Sequence, residues 1–243
     1  MTRRHPHVDG AAERDPGRVV ALSDGVIAIA VTLLVLGLRA PTDTRHLAHS
    51  LAAMWPAYLS YVITFMLVAQ VWANHHVLFD HIRHADRLLL FLNAVLLMDI
   101  ALIPFAASIL ANAFRDGQGE RTAVLLHGLT FEVAAGLFNL IWWYARRRRR
   151  LLADTIGDAD VRAITRRFQL ALAWIGAATV LGALLPLAGV CLFTSFLAYY
   201  WLPVSGELGM ARPRARPTGP VANNADGAVQ SEAANPDEAA PLS

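Results

Sequence analysis

RVVALSDGVIAIAVTLLVLGL, residues 18–38, decides how this chain folds. It is apolar enough for the interior of a bilayer, yet its first turns carry Arg18, Ser23 and Asp24. An acid at mid-depth costs a membrane helix about 2.5–3.5 kcal/mol on insertion scales and less near the interface, so its presence points to function or assembly. The apolar residues run back to Val19, which places Ser23 and Asp24 inside the helix. A cap reading of Ser-Asp-Gly is weakened accordingly.

The rest of the chain agrees with a membrane protein. Of the 243 residues, 56% are hydrophobic and 16% charged, against about 25% charged in soluble domains. All 21 basic residues are arginine and none is lysine, which we read as the codon usage of a GC-rich bacterial genome. The single cysteine, Cys191, excludes an internal disulfide and any multi-cysteine metal site. The polar stretch before residue 18 and the missing small-residue cleavage site argue for a retained first span rather than a cleaved leader.

Six apolar segments, at about residues 19–38, 51–72, 88–111, 123–144, 168–185 and 187–203, each approach the roughly 20 residues that cross the hydrocarbon. The last two are separated only by Pro186 and Gly189 and are expected to form a hairpin. The fold class expected is therefore all-α and polytopic, with six transmembrane helices: a cytoplasmic arm at 1–18, a membrane domain at 19–204 and a disordered tail at 205–243. The tail is rich in Pro, Ala, Asn and acids and lacks apolar surface to bury. Arginines concentrate in the first arm, the 83–87 loop, the 146–167 loop and the tail. The positive-inside rule then places both termini in the cytoplasm, as an even number of spans requires. The run of Arg146, Arg147, Arg148, Arg149 and Arg150 follows the aromatic belt IWWY, so it reads as an anchor that attracts anionic lipid headgroups rather than as a nucleic-acid site.

Within the first helix, Ile29, Thr32, Leu33 and Leu36 stand at i, i+3, i+4 and i+7 and form one stripe, continued downward by Gly25 and Val26. Such a stripe faces lipid, a packing partner or a pore. Asp24 lies off that line and is expected to meet a neighbouring helix. Arg18, six residues away, sits on another face and is a poor partner for it. Trp72, His75 and His76 close the second span, and the adjacent histidines diverge by about 100°, so both cannot face one ligand. They lack the i, i+4 spacing of a zinc helix; no metal is expected there. Asn93 and Asp99 of the third span point to different neighbours, and Pro104-Phe105 marks a break or kink. Glu132 is a further acid at depth. No phosphate-binding glycine loop, nucleophile elbow or zinc-protease helix is present, so no enzyme is expected.

The combination Arg18-x-x-x-Leu22-Ser23-Asp24-Gly25 resembles the signature of the transmembrane protein 175 family, in which phenylalanine stands where this chain has Leu22. The resemblance extends through Trp72-x-x-His75-His76, Asn93 and Pro104-Phe105. It implies a cation channel favouring potassium, assembled as a homotetramer of six-span subunits in the bacterial plasma membrane, with no cofactor beyond the permeating ions. It also implies a pore lined by the first helix, with the constriction at Ile29 and further layers at Thr32 or Leu33 and at Leu36. Arg18, Ser23 and Asp24 would then clamp that helix against Trp72, His75, His76 or Asn93. A coupled secondary transporter using Asp24, Asp99 and Glu132 is the alternative, although the sequence lacks the interrupted helices and repeat of that class.

Overall fold

The computed structural model describes residues 16–42 and 44–201. Residues 1–15 of the arm expected at 1–18, and the tail expected at 205–243, lie outside the described residues. Among the described residues the fold is built from seven α-helices: α1 (Pro16–Leu33), α2 (Leu47–Ala53), α3 (Trp55–Phe79), α4 (Arg87–Asp116), α5 (Glu120–Arg147), α6 (Asp158–Leu184) and α7 (Pro186–Trp201). Five of them, α1 with the turn that extends it, α3, α4, α5 and α6, are long and apolar enough to cross a membrane. The 16 residues of α7 rise about 24 Å, short of the roughly 30 Å of hydrocarbon.

Local chemistry sets the boundaries. Proline opens α1 at Pro16 and stands in the first turn of α3 as Pro56, where a missing N–H costs nothing. Asp86 caps α4 by accepting from the Leu89 N–H at 3.0 Å. The α4–α5 hairpin turns on Gly117 and Gly119, both left-handed at φ 65° and 73°, a conformation glycine adopts without penalty. Leu185 is extended ahead of Pro186, which separates α6 from α7. Of the break or kink expected at Pro104-Phe105, a break does not occur, since α4 is unbroken to Asp116. At its far end α1 tightens into a 3₁₀ turn over Leu34–Gly37.

The core lies where α4, α5 and α6 meet, with Leu96, Ile100, Phe131, Ile141, Trp142 and Phe168 fully buried. Trp142 donates from Nε1 to Thr165 Oγ1 at 2.9 Å, so its one polar atom is satisfied. Close approach elsewhere depends on glycine. A Cβ at Gly128 would fall on Thr179, one at Gly182 on Val124, and one at Gly189 on the backbone of Gly182. These contacts join α5, α6 and α7 through small residues, the usual means of helix association where lipid offers no hydrophobic drive.

At the arginine-rich end, the loops after α3 and α5 are pinned to each other. Ala153 N–H donates to the His81 carbonyl at 3.0 Å and Arg83 N–H to the Leu151 carbonyl at 2.8 Å, while Arg83 pairs with Asp154. Arg147 lies over the Trp143 ring at 4.8 Å and Arg148 over Tyr144 at 5.7 Å. The Tyr144 hydroxyl donates to Asp86 at 2.6 Å. Burial pushes the Asp86 carboxyl up, but the hydrogen bonds from Tyr144 and Leu89, with Arg148 and Arg150 nearby, outweigh it and hold the group below the usual carboxylate range.

These contacts can be tested by stability. Gly189→Ala should lower the thermal midpoint in detergent, costing about 1–3 kcal/mol by overpacking. Gly136→Ala, whose added methyl meets nothing within 4 Å, should leave it unchanged or raised; equal effects would show that the α6–α7 approach is not tight. A carboxylate depressed in the fold stabilises it above the unfolded value of about 4, and that stabilisation is lost as pH falls through the folded value. The midpoint difference between the wild type and Asp86→Asn should therefore be present at pH 6 and close as pH approaches 3. A difference independent of pH would remove Asp86 as the titrating cap.

Candidate functional site: the anchored first helix

One side of α1 is buried and the other is bare. Val19, Ser23, Ile27, Ala30 and Leu34 pack inward at successive four- and three-residue steps. Opposite them, Ile29 is 60% exposed, Leu33 43% and Leu36 70%, with Thr32 also exposed. Gly25 continues this face, and nothing lies within 4 Å of where its Cβ would be. Thr32 stands nine residues beyond Ser23, about 180° round the helix, so anchoring Ser23 inward turns Thr32 outward. The Thr32 hydroxyl is spent on the Ile29 carbonyl at 2.8 Å, which lowers the polarity of the exposed stripe.

What fixes the rotation is a directional relay across three helices. Ser23 is fully buried and donates to the Val19 carbonyl at 2.9 Å. It accepts from Asn93 Nδ2 on α4 at 3.1 Å. Asn93 Oδ1 in turn lies 3.1 Å from His75 Nε2 on α3. Because that oxygen can only accept, the network assigns the His75 proton to Nε2. His75 is itself buried and stacked on Phe79, with ring centroids 4.4 Å apart. Asn93 thus uses both ends of its amide to join α1, α3 and α4.

Asp24, about 100° from Ser23, serves the outer edge of the same junction. Its Oδ1 accepts from Trp72 Nε1 at 3.0 Å and lies 3.8 Å from His76 Nε2. Trp72 and His76 are one turn apart on α3 and pack edge to face at 4.6 Å. His76 Nδ1 meets the Trp72 carbonyl at 3.2 Å, so a proton on the remaining nitrogen would complete an ion pair with Asp24. The two histidines diverge as their adjacency requires: His75 joins the buried relay and His76 the exposed edge. Arg18 is exposed and joins neither group, for it sits six residues from Asp24 on another face. Among the described residues no three His, Cys, Asp or Glu side chains are placed to hold a metal. The stacking of His75 on Phe79 lies outside the sequence motif, although the i, i+4 spacing of the two rings carries the signal.

Comparison with known proteins gives this junction a context. The sequence model described as endosomal/lysosomal potassium channel TMEM175 matches residues 18–104, from Arg18 through Pro104. A Streptomyces collinus protein named as a potassium channel is 36% identical over 158 residues, covering 64% of this chain and 77% of the relative. The chain belongs to the TMEM175 family. The crystal structure of a lysosomal potassium-selective channel TMEM175 homolog from Chamaesiphon minutus superposes with a TM-score of 0.69 at 30% identity, over 76% of this chain and 95% of that one. The Homo sapiens protein named endosomal/lysosomal proton channel TMEM175 is 33% identical over 136 residues, which is 52% of this chain and 27% of the relative. The TMEM175 match spans α1, α3 and the first part of α4, the three helices that the relay joins.

The relay sets a measurable cost. Asn93→Ala strands the buried His75 Nε2 and removes the bond that ties Ser23 to α4, and an unsatisfied buried group costs about 1–3 kcal/mol. We expect a lower thermal midpoint of the purified protein and looser packing of α1, read as faster hydrogen exchange at residues 19–27. Wild-type exchange in this variant would show that the relay does not hold the helix.

Proposed function

We propose that this chain is a potassium-selective leak channel whose homotetramer lines its pore with α1. The reading is carried by the two-sided helix: one face locked by the Ser23–Asn93–His75 relay, the other bare with Ile29 60% exposed. The named potassium channels among its relatives support the choice of ion. In this reading α7 completes a sixth crossing, both termini face the cytoplasm of a bacterial plasma membrane, and Arg146 to Arg150 lie at anionic headgroups. No cofactor takes part, and Ser23 and Asp24 form the clamp with Trp72, His75, His76 and Asn93, while Arg18 stands outside it and Gly25 continues the bare face.

The mechanism follows from the chemistry of the stripe. Four Ile29 side chains at one level form an apolar ring, and a dry constriction of that kind is a barrier to a hydrated ion. Small rotations of α1 widen and rewet it. Thr32, Leu33 and Leu36 continue the wall. An ion squeezed through such a ring must shed water, and potassium surrenders its hydration more readily than sodium. Asp24, Trp72 and His76 set how far the helix turns.

A second reading rests on Asp99 and Glu132, each with a buried carboxylate oxygen that has no hydrogen-bond partner among the described residues. Buried acids in a membrane are the usual carriers of coupled transport. Reconstituted liposomes separate the two. A channel gives currents that reverse at the Nernst potential for potassium without saturable coupling, whereas a transporter moves a second ion in fixed ratio.

Ile29→Asn should wet the constriction and raise potassium flux several-fold while narrowing the discrimination against sodium. Unchanged flux and selectivity would remove Ile29 from the gate.

A further inference from the structure

A second polar group stands unexplained at the other end of the bundle, away from the α1 junction. His127, on α5, is 3% exposed, and neither Nδ1 nor Nε2 has a hydrogen-bond partner among the described residues. Leaving such a group dry is costly, and buried polar atoms are seldom abandoned without a reason. The imidazole lines a cavity of about 40 Å³, open on one side, between the first turns of α3, the end of α4 and the start of α7. Its walls include Trp55, Phe114, Leu187 and Phe193, and Ser60 contributes a hydroxyl. Phe131 and Phe193 hold the imidazole at ring-centroid distances of 5.2 and 6.2 Å. It is therefore fixed in place rather than free to turn toward solvent.

The lining decides what can enter. Among the described residues no Asp, Glu, Lys or Arg contributes to it, so a charged occupant would be buried without a partner. A plain hydrocarbon would satisfy the walls and leave the imidazole unpaired. A water would satisfy the imidazole at the inner end of the cavity and leave the apolar residues at its open side uncovered. A hydroxyl both donates and accepts, so it can pair with either form of an imidazole nitrogen. The Ser60 hydroxyl already gives its hydrogen to the Ala107 carbonyl at 3.1 Å and is left as an acceptor on the same wall. We propose that this cavity is a binding site for an uncharged alcohol with an apolar body, whose hydroxyl bonds to His127 while its chain lies against Trp55, Leu187 and Phe193. The occupant is a lipid alcohol of the membrane or a soluble alcohol that partitions from water.

The test uses the full chain in lipid nanodiscs and a diazirine-bearing 1-octanol as the photolabel. Labelling should saturate, map to the peptides carrying Trp55, His127 and Phe193, and be competed by 1-octanol but not by n-octane. His127→Phe keeps the aromatic bulk and should weaken saturable labelling about tenfold, the scale of one hydrogen bond to a buried group. Leu187→Trp closes the mouth from α7 without touching the imidazole and should also block labelling, which keeps the test decisive if the His127 variant misfolds. An alcohol that co-purifies with the wild type and not with His127→Phe, found by extraction and mass spectrometry, assigns the membrane source; saturable labelling without one assigns the soluble source. Competition by n-octane equal to that by 1-octanol, or unsaturable labelling of a cavity that takes water alone, would overturn the site.

Discussion

Asn93 holds α1 in its orientation against α3 and α4. A carboxamide can accept at one end and donate at the other, and here it accepts from His75 and donates to Ser23. The Ser23 hydroxyl passes its own hydrogen to the Val19 carbonyl, so the relay ends inside α1 with every bond pointing one way. A single interhelical hydrogen bond in a membrane contributes about 0.6 kcal/mol on average. That is too little to hold a bundle together. It is enough to choose among rotations of an apolar helix, because a rotated α1 would take the Ser23 oxygen away from the buried Asn93 amide and leave that donor unpaired.

The division between packing and orientation runs through the whole fold. Close approach of α5, α6 and α7 comes from Gly128, Gly182 and Gly189, positions where a side chain has no room. Steric fit there is joined by bonds between helices, such as Trp142 Nε1 to Thr165 Oγ1 at 2.9 Å and Trp174 Nε1 to the Leu192 carbonyl at 3.0 Å. α1 is different. Its inward ridge of Val19, Ile27, Ala30 and Leu34 is chemically almost the same as its outward stripe of Ile29, Leu33 and Leu36, so hydrophobicity cannot tell the faces apart. Only the polar residues at its base break the tie.

That near-symmetry also explains what can be read from sequence. Helix positions are legible because apolar runs of membrane length, Asp86 before α4, the Gly117 and Gly119 turn and Pro186 after Leu185 are local signals. The divergence of His75 and His76 is legible too, since adjacency on a helix fixes it. The unbroken course of α4 through Pro104 is not, because neighbouring helices can support a proline that would break an isolated helix. Nor is the separation of Arg18 from the clamp visible in the motif, although its six-residue distance from Asp24 already places it on another face. His127 gives no local signal at all. Its isolation arises from α3, α4 and α7 arriving around it, which is a property of the fold and not of the α5 sequence.

Solvent access at position 29 decides whether the bare face of α1 lines a pore. In a Cys191→Ser background, which removes the native thiol, Ile29→Cys and Ile27→Cys can be exposed to a small charged thiol reagent while potassium flux is recorded. A pore-lining stripe requires that the Ile29→Cys thiol be modified from the aqueous phase and that flux fall with it, whereas the Ile27→Cys thiol, on the buried ridge, stays unreactive. If no aqueous reagent reaches the Ile29→Cys thiol in any state, but a lipid-dissolved reagent labels it readily, the isoleucine face lies against lipid and α1 does not line a pore.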